Sequence, residues 1–256
     1  MKKNVLILGF GLLSVFGFFS CLDDHEDVQV SYGVIQNVNS SNSYEILTDK
    51  GNTLKVTKSH TIHTIENDKR VLVNYEILSD KDSNRNIYEV SVNGFYNLLS
   101  KPVVYESFIL QDEEARRDSI GNDPFTQVHI EFGGKFININ FSMLYLEYSS
   151  VKHLINLGYD DTRADADTIY LTLYHNAYGE VSGKGFSLSE GVGRSSFKIS
   201  DLLPAGVTSK PVKVTWTEYN YYGTRERSFV GAYKLGDTSN KRLAQQIGFD
   251  SSIEIR

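Results

Sequence analysis

The sequence predicts an all-β protein in two parts, a small Greek-key barrel followed by an antiparallel β-sandwich. Three observations carry this reading. Apolar residues recur with a period of two in almost every patterned segment, as in strands with one packed and one wetter face. The 16 tyrosines and 14 phenylalanines are residues that pack well on pleated surfaces. Turn-forming residues that tolerate positive φ fall between the alternating runs. No long amphipathic helix competes; residues 112–119 suffice for about two turns, with Glu113 placed four residues before Arg117.

In chain order, residues 1–20 have the form of a signal peptide. Lys2 and Lys3 precede an apolar stretch, residues 5–19, interrupted by Gly9, Gly11, Ser14 and Gly17. That stretch is shorter than the ~20 apolar residues of a membrane-spanning helix. Ser20 then precedes Cys21, the sole cysteine of the 256 residues. The arrangement resembles a bacterial lipobox, in which the thiol is acylated and becomes the mature N-terminus; Phe18 and Phe19 depart from its usual residues. Two or more acyl chains hold a protein stably at a membrane. Residues 21–27, with Asp23, Asp24, Glu26 and Asp27, are too polar to fold and read as an acidic tether. Such a run suits either a surface-export signal or a solvated periplasmic spacer.

Residues 28–100 are expected to form the barrel. Val71, Val73, Tyr75 and Ile77 alternate on one face, and Tyr88, Val90 and Val92 oppose Glu89, Ser91 and Asn93. Asp49-Lys50-Gly51-Asn52 separates two short runs as a hairpin turn. Residues 101–123 read as a linker, bounded by Pro102 and Pro124, where a strand should not continue. Residues 124–235 are expected to form the sandwich. Ile137, Ile139 and Phe141 oppose Asn138 and Asn140; Ile169, Leu171 and Leu173 oppose Tyr170, Thr172 and Tyr174; Val212, Val214 and Trp216 oppose Lys213, Thr215 and Thr217. Gly133-Gly134 and residues 220–223 supply the turns. Residues 236–256 are weakly patterned and receive no assignment.

Cleavage before Cys21 leaves 236 residues, and loss of Lys2 and Lys3 takes the formal charge from −6 to −8. An acidic chain without a basic run lacks the footprint of a nucleic-acid binder, and lacks the polybasic patch that holds an anionic bilayer. Membrane attachment must therefore run through lipid on Cys21. With a single cysteine, no disulfide forms within the chain, so the fold rests on hydrophobic burial.

An ordered series of short motifs resembles the NigD-like lipoproteins of Gram-negative anaerobes. It comprises Val71-Leu72-Val73-Asn74-Tyr75 with Ile77-Leu78-Ser79-Asp80-Lys81, then Val92-Asn93 and Asn97-Leu98-Leu99. Ser119-Ile120-Gly121-Asn122-Asp123-Pro124, Lys152-His153-Leu154-Ile155-Asn156-Leu157 and His175-Asn176-Ala177-Tyr178-Gly179 follow. The resemblance implies an N-terminal OB-type barrel, a C-terminal β-sandwich, a lipid-anchored outer-membrane protein on the periplasmic or surface side, and a link to bacteriocin production or immunity. It supplies no catalytic residue. The motif at 175–179 reads as a strand end running into a turn.

Other constellations carry little chemistry. His60 and His63 face opposite sides of a strand and lack further ligands. Asp160, Asp161, Asp165 and Asp167 around Arg163 lack the calcium-loop pattern and read as a solvated loop. Gly183, Gly185, Gly191 and Gly193 lack the Lys-Ser/Thr of a phosphate loop and read as hairpin connections. Ser187 and Ser189 do not form G-x-S-x-G. Tyr219, Tyr221 and Tyr222 beside the 220–223 turn form a candidate ligand-stacking platform at a sandwich tip. The expectation is a non-enzymatic envelope protein without cofactor or metal that binds a protein partner; the alternative is an accessory glycan-binding lipoprotein.

Overall fold

A computed structural model describes residues 28–61, 64–147, 149–164, 167–180, 188–220 and 222–236. Five strands, β1 (Gln29–Ser40), β2 (Ser43–Thr48), β3 (Thr53–Ser59), β4 (Arg70–Asp82) and β5 (Ile87–Asn97), close a barrel in the order β1-β2-β3-β5-β4. The β2–β3 hairpin turns where the Asp49–Asn52 sequence predicts, with Gly51 at φ 78°. Val71, Val73 and Tyr75 point inward with Ile46, Leu54 and Val90, whereas Ile77 lies beyond the barrel's packed region and is exposed. A bulge alters the parity of β5. Asn74 pairs with Gly94 while Tyr75 pairs with Val92, leaving Asn93 as an extra residue. Val92 and Phe95, three positions apart, consequently both enter the core.

The sandwich contains a five-stranded sheet, β14-β13-β11-β10-β7, over a four-stranded sheet, β6-β12-β9-β8. Seven of these strands fall within residues 124–235: β8 (Gln127–Gly133), β9 (Phe136–Leu146), β10 (Leu154–Tyr159), β11 (Ile169–Asn176), β12 (Leu188–Lys198), β13 (Ser209–Asn220) and β14 (Gly223–Lys234). The preceding segment supplies two edge strands, β6 (Leu99–Lys101) and β7 (Val104–Tyr105). The stretch read as linker thus carries β7 and the helices α1 (Glu106–Leu110) and α2 (Glu113–Ile120). Within α2, Arg117 Nε donates to Glu113 Oε1 at 2.8 Å, the pair that the spacing predicts. Among the described residues three strand pairings of the sandwich are parallel, β7–β10, β6–β12 and β11–β13. The last arises because the chain crosses to the opposite sheet for β12 between β11 and β13.

The inward faces of both sheets meet in one core, including Ile137, Ile139, Phe141, Leu171, Leu173, Val212 and Val214. Burying such aliphatic side chains stabilises a fold by about 1.5–3 kcal/mol each. Gly191 and Gly193 are not hairpin connections. Both lie inside β12, and a Cβ on Gly193 would strike the Phe141 ring. Among the described residues no helix is long and apolar enough to cross a membrane.

The barrel packs against the outer face of the four-stranded sheet. At this contact Arg70, at the start of β4, is 3% exposed. Its Nη1 and Nη2 donate to the two carboxylate oxygens of Asp49 at 2.6 and 2.5 Å. Nη2 also reaches Asn138 Oδ1 and Nε reaches Ser196 Oγ, both at 2.9 Å. Asn138 completes the set by donating to Asp49 Oδ2 at 3.0 Å and accepting from Ser196 at 2.7 Å. The Phe136 ring stacks on the guanidinium at 4.0 Å. Beside this set, the Tyr32 hydroxyl is bonded to the Asn140 side-chain amide at 3.1 Å, and burial pushes its phenol up to about 12. Gly133 is bare because a Cβ there would approach Asp49 Oδ2 to 2.6 Å, so the two predicted hairpins press directly together.

Breaking this set from one side strands a buried charge, which costs about 3–5 kcal/mol. Arg70→Leu should lower the unfolding free energy by that amount in urea titration. Asp49→Leu combined with Arg70→Leu should recover much of the loss, since no unpaired ion then remains. A double variant no more stable than Arg70→Leu would assign the loss to packing instead.

Candidate functional site

The outer face of the five-stranded sheet carries an open groove. β11 directs Tyr170, Thr172 and Tyr174 outward, opposite the buried Ile169, Leu171 and Leu173. β13 adds Lys213 and Thr215, and β14 adds Glu226. These side chains line a groove of about 320 Å³ together with Glu106, Asp160 and Arg163. A second hollow of about 380 Å³ adjoins it, lined by Arg117, Asp118, Asn122 and Asp123. Tyr174 lines both. Its ring lies over Gly158 of β10, where a Cβ would come within 2.6 Å of it.

The arginines at the groove and the adjoining hollow are paired. Arg163 stacks on the Tyr170 ring at 3.7 Å and donates to Asp160 at 2.6 Å. Desolvation raises the Asp160 carboxyl, but hydrogen bonds from Thr162 and Arg163 outweigh it and hold the group below its ordinary range. Asp161 accepts from the Ser107 N–H at 2.7 Å, docking this loop to the first turn of α1. Asp160 and Asp161 therefore serve as local hydrogen-bond acceptors. Arg117 is held by Glu113 and Glu106, which raise its pKa. Among the described residues no group of three or more His, Cys, Asp and Glu side chains could hold a metal ion.

Three of the short motifs prove to be one interlocked unit behind this groove. Asn176 Nδ2 donates to the carbonyls of Asp118 and Ser119, each at 3.0 Å, and its Oδ1 accepts from the Tyr178 N–H at 2.8 Å. Asp123 accepts from the Ala177 N–H at 2.7 Å. Gly121, at φ 72°, rests against Asn176, whose Cα would stand 2.8 Å from an added Cβ. Tyr178 and Gly179 at φ 52° and 84° then turn the chain as expected. Below lies a buried relay absent from the sequence reading. Ser149 and His153 Nε2 both bond the Glu180 carboxylate, the latter at 2.8 Å, and His153 Nδ1 meets His175 Nε2 at 2.9 Å. With Glu180 ionised, His153 donates to it from Nε2.

Of the residues singled out in the sequence, Tyr219 lies on β13 and is 43% exposed, while Tyr222 at the hairpin tip is 93% exposed. Neither lines the groove. Cys21, His63, Asp165, Gly183, Gly185, Ser187, Tyr221 and residues 237–256 lie outside the described residues. The groove and the relay escaped the sequence reading because α1, α2 and the 160–163 loop meet β11 only in three dimensions.

The chain is thus an OB-type barrel fixed to a β-sandwich whose five-stranded sheet has an open polar outer face. The chain belongs to the NigD-like family: residues 32–97 match the NigD-like N-terminal OB domain and residues 107–229 the NigD-like C-terminal beta sandwich domain. Solved structures share this architecture. A protein of unknown function from Bacteroides vulgatus is 18% identical with a TM-score of 0.59, over 81% of this chain and 92% of that one. A NigD-like immunity protein from Bacteroides caccae is 20% identical at 0.57, over 79% and 92%. A candidate lipoprotein from Bacteroides fragilis is 11% identical at 0.55, over 83% and all of that chain. No curated protein matches the chain.

The relay makes stability depend on pH. Burial, and next the charge of His153, push the His175 imidazole from 6.5 down to about 4. Between these values the unfolded chain binds a proton that the folded chain refuses. Stability should therefore fall as pH drops from about 6.5 to about 4, by about 3 kcal/mol. Burial raises the Glu180 carboxyl, yet bonds from His153 and Ser149 hold it below its ordinary range, so its contribution is lost at still lower pH. His175→Gln should flatten the difference between urea midpoints at pH 7 and pH 4.5. An unchanged difference would place the titration elsewhere.

Proposed function

We propose that this protein is a non-catalytic recognition module, held at the cell envelope by lipid on Cys21, that binds a protein partner and serves bacteriocin immunity. The observation that carries this reading is the groove on the five-stranded sheet. It is open and mixed in charge, and it is framed by Tyr170, Tyr174 and Arg163, residue types enriched where proteins bind one another. Family membership and the fold shared with a NigD-like immunity protein support the biological setting. The lipobox-like sequence ending at Cys21 supports the anchor.

A second reading, glycan binding, is favoured by one observation, the exposure of Tyr219 and Tyr222 at the far hairpin. Tyrosine rings there offer apolar faces and hydroxyls to sugars. Retention of the chain from residue 22 onward on immobilised polysaccharide, lost on Tyr222→Ala, would select it.

The immunity reading is tested in cells lacking the gene, exposed to the secreted bacteriocin fraction of the producing strain. Complementation with the wild-type chain should restore survival. Tyr170→Ala with Tyr174→Ala should reduce protection by about tenfold or more, as expected for loss of two central aromatic contacts. Cys21→Ala should leave the product without incorporated radioactive palmitate. Equal sensitivity with and without the gene would overturn the immunity role, and an unlabelled wild-type product would overturn the anchor.

A further inference from the structure

The edge of β14 carries an inference beyond the groove, although Glu226 of this strand also lines it. This strand is 12 residues long, ends its sheet, and pairs with β13 without interruption from Ser209–Lys234 to Asn220–Gly223. It contains no proline and no bulge, two of the devices that protect an edge from adding another strand, although it does carry charged side chains.

Which backbone groups are free follows from β13. The Thr217 carbonyl accepts from the Phe125 N–H at 2.9 Å, and the Tyr219 N–H donates to the Phe125 carbonyl at 2.7 Å. Phe125 lies on the side of β13 away from β14, so odd-numbered β13 residues face away from β14. Even-numbered ones face it and engage Arg225, Arg227, Phe229 and Gly231. Along β14 the even-numbered residues Thr224, Glu226, Ser228, Val230, Ala232 and Lys234 therefore direct their N–H and C=O groups outward. Their side chains are exposed, Val230 by 66%.

We propose that β14 pairs antiparallel with β14 of a second copy of this chain, across a two-fold axis at Val230. That register is selected by chemistry. It sets Val230 against itself and Ser228 against Ala232, and it places Glu226 opposite Lys234 twice. Among the described residues neither Glu226 nor Lys234 has an ion-pair partner within its own chain. Shifting the axis by one residue in either direction destroys the Glu–Lys match. The pairing is isologous and closed, so it yields a dimer with one ten-stranded sheet rather than a fibre. Strand addition of this kind draws its affinity from main-chain hydrogen bonds and its register from alternate side chains.

The test uses the chain from residue 22 onward, followed by sedimentation equilibrium up to about 100 μM, where modest interfaces associate. The wild type should show a monomer–dimer equilibrium. Glu226→Lys or Lys234→Glu alone should weaken it about tenfold, by setting like charges opposite each other. The double swap E226K/K234E should restore it to within about threefold. Circular dichroism melts keep the variants interpretable, because both residues are exposed and unpaired in the monomer. A wild-type chain that stays monomeric overturns the proposal, as does a dimer indifferent to both single reversals. Dimerisation seen only after removing residues 237–256 would assign the edge to that segment and likewise overturn it.

Discussion

The interaction on which the rest of the structure depends is the burial of one guanidinium between two domains. A cation removed from water is tolerated when its donors and their acceptors are satisfied together. Arg70 meets that condition with partners from both sides: the carboxylate of Asp49 from the barrel, and Asn138 and Ser196 from the sandwich. Because a guanidinium is planar and forked, the partners must hold fixed directions, so the set imposes an orientation as well as contact. The set thereby seats the barrel on the four-stranded sheet, and the face of the sandwich left open is the five-stranded sheet.

Much of the fold is legible because alternation reports burial directly. Ile169, Leu171 and Leu173, and Val212, Val214 and Trp216, lie in the core as their spacing implies. Alternation says nothing of what covers the other face. Asn138 and Asn140 read as a solvated face, yet Asn138 is 1% exposed because the barrel lies on it. Leu72, out of phase with Val71 and Val73, is buried for the same reason, packing with Tyr32 and Leu98 outside the barrel. The Asn93 bulge likewise has no sequence signature beyond the neighbouring Gly94. Residues 99–105 were unreadable as strands because runs of two or three residues show no period.

The candidate site divides along the same line. The polar face of β11 follows from its pattern, and the pair within α2 from its spacing. The relay does not, since His153 and His175 are 22 positions apart and meet only through the β10–β11 pairing. Ser149 and Glu180, which complete it, come from the flanking connections. The motifs at 119–124 and 175–179 are separate words in the sequence but one object in space, joined through Gly121 and Asn176. In this chain they brace the sandwich behind its open face, and do not by themselves mark a ligand.

The Arg70 contact also constrains how such a protein can change over generations. Its acid and base sit in one domain, while the amide and hydroxyl that complete them sit in the other, encoded far downstream. A barrel exchanged by recombination would arrive with its ion pair intact and find nothing to receive it unless the incoming sandwich carried matching groups. Inheritance of the two halves is thereby coupled, although each is a self-contained unit of sheet.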